Sequence, residues 1–392
     1  MDRTAVPYPF NRSEGLELDD AYRAAQAQPG MIRVQLPFGE PAWLATRYDQ
    51  ARTVLGDRRF STAEGVTRDA PRLREAHIAN GILSMDPPEH TRLRTLVAKA
   101  FTARRVEELR PRIREFAENL VDDMVAAGPP ADLVEDFALP LPVAVICELL
   151  GVPATDRPRF RRWSDDLLST GGLTAEEFQA SFGELRAYLG HLVELHRARP
   201  QDDLMSALIA ARDEQDRLSE TELVDLCAAV LVAGHETTAS QIPNFVLVLL
   251  GHPEKLAELR EREEMIPEAV EELMRFVPLG SGGFLARYAT EDVRVGDALV
   301  RAGEPVMVAI GAANRDATHF EAPDELRFGR PRQHIGFGHG VHHCLGAQLA
   351  RAELQEALRV LLFRLPGLHL AGDVEWKTQM LVRGPRTMPI GW

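Results

Sequence analysis

Ten residues, Phe337-Gly338-His339-Gly340-Val341-His342-His343-Cys344-Leu345-Gly346, concentrate the chemistry of this chain. Three glycines let the backbone turn sharply and approach a partner closely. Leu345, Leu349, Leu354, Leu358, Leu361, Leu362 and Leu365 then recur at helical spacing until Pro366-Gly367 stops the pattern. Cys344 is therefore expected at a helix N-terminus, where unpaired N–H groups and the dipole favour negative charge and make the thiol easier to ionise. A thiolate in such a loop suits a soft metal. Two other readings compete. A free cysteine is most often a small buried hydrophobe, which suits Cys147 beside the apolar run 141–146 and Cys227 on a helical apolar face. Zinc is suggested by His339, His342, His343 and Cys344, but structural zinc sites usually draw on two separated ligand pairs, and no second pair is present.

A second constellation lies upstream. Ser219-Glu220-Thr221-Glu222 reads as a capping box and opens a helical run of roughly 30 residues, about 45 Å long. Its middle, Ala233-Gly234-His235-Glu236-Thr237-Thr238, puts a glycine, a charge and two hydroxyls inside an apolar element. Glycine there costs up to about 1 kcal/mol against alanine, and a buried carboxylate needs compensation. Taken alone the hexad reads as a solvated stripe. Pro243, inside the same run, predicts a kink or local opening. His90 and Arg94, four apart, share a helix face and by themselves form a surface pair. Glu272 and Arg275, three apart, form an ordinary intrahelical pair. The glycines of 278–284 suggest a phosphate loop, but no Gly-x-Gly-x-x-Gly before a helix supports it.

The pattern Phe-x-x-Gly-x-x-x-Cys-x-Gly, filled by Phe337, Gly340, Cys344 and Gly346, resembles the haem-ligand loop of the cytochromes P-450. The resemblance implies that Cys344 is the axial iron ligand, with Phe337, Gly338 and Gly346 holding the haem. The hexad matches the family's Ala/Gly-Gly-x-Asp/Glu-Thr-Thr/Ser pattern, which implies a helix over the oxygen side of the haem. There Gly234 would make room for dioxygen and substrate, Thr237 would hydrogen-bond oxygen at the haem, and Glu236 would relay protons from solvent. Val232 and Ala233 would border the substrate. His90, Arg94, Arg287 and His342 would grip the haem propionates. Glu272 and Arg275 would be a buried structural pair completed by Arg330, with Arg327 as the alternative. Gly282, Phe284, Met380 and Leu381 would line the pocket, the segment 61–84 would lie over the substrate, and 168–182 resembles a mobile lid.

The same resemblance implies a mainly α, roughly triangular single domain over residues 1–392 with small sheets, carrying haem b (iron protoporphyrin IX). It implies a monooxygenase that uses O2 and electrons from a ferredoxin and its reductase, since no flavin or iron–sulfur domain fits in the length. The stretches 8–11, 81–90 and 337–346 are similar to actinobacterial members that tailor macrolide antibiotics, which implies hydroxylation or epoxidation of a macrolide or related polyketide. The alternative is oxidation or oxidative coupling of another secondary metabolite, a peptide, terpene or aromatic. A non-catalytic haem-thiolate binding or sensor protein is the reading from a different class, and the Glu236-Thr237 pair argues against it.

The elements that must position these residues are mostly helical. A short helix is expected over 18–26, a β-hairpin from 32–36 and 43–48, and a helix over 48–55. Prolines 87 and 88 stand where the next helix can begin. From 103 to 195 the pattern is nearly all amphipathic helix, broken at Gly128-Pro129-Pro130 and Gly151-Val152-Pro153. The 392 residues, 45% hydrophobic, are ordinary for a soluble globular chain. A net charge of −14 argues against nucleic acid, although Arg104 and Arg105 with the cysteine loop are a candidate basic face for redox partners. Three lysines against 42 arginines reads as codon bias. Three separated cysteines make no disulfide framework, so a reducing cytoplasm is expected. No secretory leader and no membrane span are expected.

Overall fold

The computed structural model describes residues 5–12, 14–75, 81–171, 173–213, 217–280, 282, 285–331 and 333–392. It is mainly α. In chain order the helices are α1 (Asp20–Ala27), α2 (Tyr48–Gly56), α3 (Glu89–Ala98), α4 (Ala103–Ala127), α5 (Pro140–Leu150), α6 (Arg157–Leu168) and α7 (Ala175–Ala198). They continue as α8 (Leu204–Asp213), α9 (Glu220–Leu250), α10 (Pro253–Glu261), α11 (Ile266–Phe276), α12 (Ile310–Ala313) and α13 (Ala347–Arg364).

Helix α9 is the axis of the molecule. Its capping box forms as the sequence predicts, with Ser219 N–H donating to Glu222 Oε2 at 2.7 Å and Glu222 N–H to Ser219 Oγ at 3.2 Å. The helix runs without interruption through Pro243 and packs on α5, α7 and α13. Helix α13 lies against α4 and α11, burying Leu349, Leu354, Leu358, Leu361 and Leu362 in the largest core cluster. The segment 168–182, expected as a lid of weak periodicity, is helical from Ala175 onward. A second capping box explains this: Glu177 N–H donates to Thr174 Oγ1 at 3.2 Å while Thr174 N–H donates to Glu177 Oε2 at 2.8 Å.

The predicted hairpin pairs Ile32–Gln35 with Ala42–Ala45 in antiparallel register, Ile32 opposite Leu44. Ala42–Ala45 then runs parallel to Pro305–Val308, which pairs with Arg287–Ala289, so that Arg287 stands opposite Val306. Six short strands make this sheet, with two smaller core clusters against it. Segment 61–75 is tied down by a 3-10 turn at Ala63–Val66 and a bridge between Phe38 and Arg72. Among the described residues no helix is long and apolar enough to cross a membrane.

Candidate active site

The cysteine loop is set by its glycines. Gly338 and Gly340 take φ of 74° and 72°, a left-handed conformation that favours glycine, and a Cβ at Gly340 would strike the Leu55 carbonyl at the end of α2. Cys344 N–H donates to the Phe337 carbonyl at 2.8 Å, closing the loop. The Arg351 guanidinium lies 4.4 Å from the Phe337 ring centroid and pairs with Glu271 at 2.5 Å. Cys344 itself is open on one side.

The thiol is not simply activated, as its position suggested. Helix α13 begins at Ala347, three residues beyond Cys344, with Gly346 as its N-cap. Enclosure by the loop pushes the Cys344 thiol up, and the Gly346 N–H with the Arg94 and Arg351 guanidiniums offsets only part of that.

Four nitrogen-bearing side chains gather near the loop. His90 and Arg94 project from α3, Arg287 from its strand and His342 from the loop. The His90 and His342 ring centroids are 4.3 Å apart, and Arg94 Nη2 donates to the His343 carbonyl at 2.6 Å. Burial lowers His342 to about 3, with the Arg287 and His90 charges adding to it, and burial lowers Arg287 to about 10. Asp86 is nearby, but its oxygens accept from Ser61, Thr62 and Ala63. The buried His90 Nδ1 has no hydrogen-bond partner among the described residues. A buried polar atom left without a partner is costly, and the guanidiniums beside it suit a ligand bearing carboxylates.

On α9, Ala233 is exposed and Thr237 half-buried in a helix whose middle is otherwise largely buried. Thr237 Oγ1 donates to the Ala233 carbonyl at 3.1 Å. Glu236 is buried and accepts from Lys377 Nζ at 2.5 Å, an interaction with no signal in the sequence beyond the rarity of lysine. Gly234, expected to make room for ligand, instead admits α5: its Cβ would lie 2.7 Å from Ile146 Cδ1. Val232 is half-buried one residue before Ala233.

Glu272 and Arg275 are buried and doubly bonded at 2.8 Å. Arg330 Nε donates to Glu272 Oε1 at 2.9 Å, whereas Arg327 reaches Glu272 only through its backbone N–H and its side chain pairs with Glu325 at the surface. Met380 bridges to Ser169 and Leu381 N–H donates to the Leu168 carbonyl at 2.9 Å, which ties their turn to the end of α6. Gly282 is pressed on Pro9, 2.8 Å from its Cβ position, and so packs against the N-terminal segment. Phe284 lies outside the described residues. A separate open cleft of about 740 Å³, lined by Arg58, Thr91, Arg92, Thr95 and Arg217, lies on the side of α3 away from His90 and Arg94.

Residues 148–366 match the sequence profile described as Cytochrome P450. The chain is 55% identical to the mycinamicin IV hydroxylase/epoxidase of Micromonospora griseorubida over 98% of both chains. It is 51% identical to the nocardicin C N-oxygenase of Nocardia uniformis subsp. tsuyamanensis over the full length of both. Among solved structures, HinD superposes with a TM-score of 0.96 at 47% identity, covering 99% of this chain and all of that one. The mixed-function P450 MycG superposes with a TM-score of 0.92 at 55% identity and the same coverage.

Proposed function

This chain belongs to the cytochrome P450 family and is a monooxygenase with a haem-iron cofactor, and from that premise we propose that it hydroxylates or epoxidises a macrolide or related polyketide. The observation that carries the substrate class is the 55% identity, over nearly all of both chains, to an enzyme named for mycinamicin IV. The comparable identity to an N-oxygenase of nocardicin C supports the second reading, oxidation of another secondary metabolite. In this proposal the chain is one domain, binds haem b, acts in the cytoplasm and takes its electrons from a ferredoxin and its reductase.

The residues fit a haem. Cys344, open at the base of the glycine loop, would ligate the iron as the thiolate. Phe337, Gly338 and Gly346 would bound that loop. Arg287, His90, Arg94 and His342 would hold the propionates through charge-assisted hydrogen bonds. Bound haem supplies dioxygen activation and transfer of one oxygen atom to the substrate. Thr237 and Ala233 would face that chamber, with the Thr237 hydroxyl as hydrogen-bond donor at its ceiling. Glu236, on the adjacent position of α9, would hold and pass protons toward Thr237. The turn at Met380 and Leu381 would close the pocket, with Val232 behind Ala233. Glu272, Arg275 and Arg330 would hold the fold.

Absorption spectroscopy of the purified protein tests this. The ferrous carbon monoxide complex is expected to carry a thiolate-shifted Soret band, lost in Cys344→Ala, and mycinamicin IV is expected to drive a low-to-high-spin shift. A thiolate band without a shift from any macrolide would overturn the substrate class. Thr237→Ala is expected to keep the spin shift while product per electron pair falls by about tenfold or more; unchanged coupling would remove Thr237 from proton handling.

A further inference from the structure

Arg383 carries a charge that is shut inside the fold, in a part of the molecule that neither the haem nor the oxygen chemistry uses. The residue is 2% exposed. Its backbone is fixed on two sides: its N–H donates to the Leu279 carbonyl at 2.8 Å, and its own carbonyl accepts from Asn244 Nδ2 of α9 at 3.1 Å. From there the side chain reaches the N-terminal segment, where Nη2 donates to the Gly15 carbonyl at 2.8 Å and to the Glu17 carbonyl at 3.2 Å. Nε and Nη1 are buried with no hydrogen-bond partner among the described residues.

A buried charge is tolerated when it is paired and fully hydrogen-bonded. Two acidic groups act on this guanidinium through their charge, Tyr22 and Glu17, and neither supplies a counter-ion in contact with it. Burial pushes the Tyr22 phenol up to about 12, so it stays neutral near pH 7, and its hydroxyl donates to Tyr8 Oη at 3.3 Å. Burial raises the Tyr8 phenol as well. Glu17 is exposed and meets Arg383 through its backbone carbonyl, which leaves its carboxylate charge to be screened by water and salt. The arginine therefore keeps two donor nitrogens and a positive charge that the chain itself leaves without a directly bonded anion. Charge-assisted hydrogen bonds from a guanidinium are strong when the acceptor is an anion, and the enclosure limits that acceptor to a small one. We propose that Arg383 binds one small inorganic anion of the halide class, chloride in ordinary buffers, through Nε or Nη1. The ion acts as a structural ligand where residues 15–22 meet the turn that carries Met380 and Leu381.

The full-length, haem-loaded protein is used for the test. Crystals grown with bromide in place of chloride are expected to show an anomalous bromine peak within hydrogen-bonding distance of Arg383 Nε or Nη1. No peak there would overturn the inference and leave the two nitrogens to ordered water. In solution, replacing sodium gluconate by sodium chloride at equal ionic strength is expected to raise the melting temperature by at least about 2 °C along a single-site saturation curve. R383M is expected to lose that chloride dependence whatever its own melting temperature, and R383Q serves the same comparison if R383M does not fold. A bromine peak without a chloride-specific rise, or a rise that persists in the variant, would mark an adventitious ion only and overturn the inference. None of these readouts needs a substrate, so the outcome is independent of the macrolide reading.

Discussion

At Glu271, burial would raise the carboxyl, yet hydrogen bonds from His334 and Arg351 and their charges hold it at about 2. Between the ordinary value of 4.5 and about 2 the unfolded chain binds more protons than the native one, so this part of the stability is complete above about pH 4.5 and lost as the pH falls toward 2. Glu271→Gln is expected to lower the melting temperature near neutral pH, by a gap that narrows on acidification. A gap that does not change with pH would show that the charge of Glu271 is not what stabilises. Gly234 allows a second test at this scale. An added methyl meets Ile146, and overpacking of about 1–3 kcal/mol is offset by about 1 kcal/mol of helix propensity. Gly234→Ala is therefore expected to cost about 1 kcal/mol in denaturant unfolding and to leave the substrate spin shift unchanged. A lost spin shift would instead place Gly234 on the chamber wall. Residue types flagged Cys344, Glu236 and the arginines, but neither the partner of Glu236 nor the neighbour of Gly234 is near them in the chain.

Capping chemistry makes elements legible where periodicity is weak. Ser219 and Glu222 announce α9 in four residues, and Ser219→Ala is expected to cost about 1 kcal/mol in denaturant midpoint analysis; no change would mean that packing alone fixes that end. Thr174 and Glu177 carry the same signal for α7, hidden by the glycines just before it. The hairpin was readable because two apolar strands flank turn residues. Its parallel partner Pro305–Val308 was not, since nothing local pairs strands more than 250 residues apart. Pro243 interrupts no turn of α9 and is buried there.

In the whole molecule, α9 and α13 organise one extended helical core, and two smaller clusters attach the sheet to it. Arg287 belongs to the sheet, while Cys344 leads into α13, so the proposed haem contacts span both regions. Bound haem is therefore expected to raise the unfolding temperature of the chain when followed by circular dichroism. An unchanged temperature in the haem-free protein would show that haem does not tie the two regions together.

The family, the cysteine loop and the long helix with its hexad are legible in contiguous residues, because the spacing of each fixes a local geometry. The meeting of Lys377 with Glu236, the completion of the Glu272–Arg275 pair by Arg330 rather than by the side chain of Arg327, and the packing of Gly234 on α5 arise only in the folded chain. Those outcomes depend on which distant surfaces approach and on the cost of leaving buried charge unpaired, and neither is encoded in local spacing.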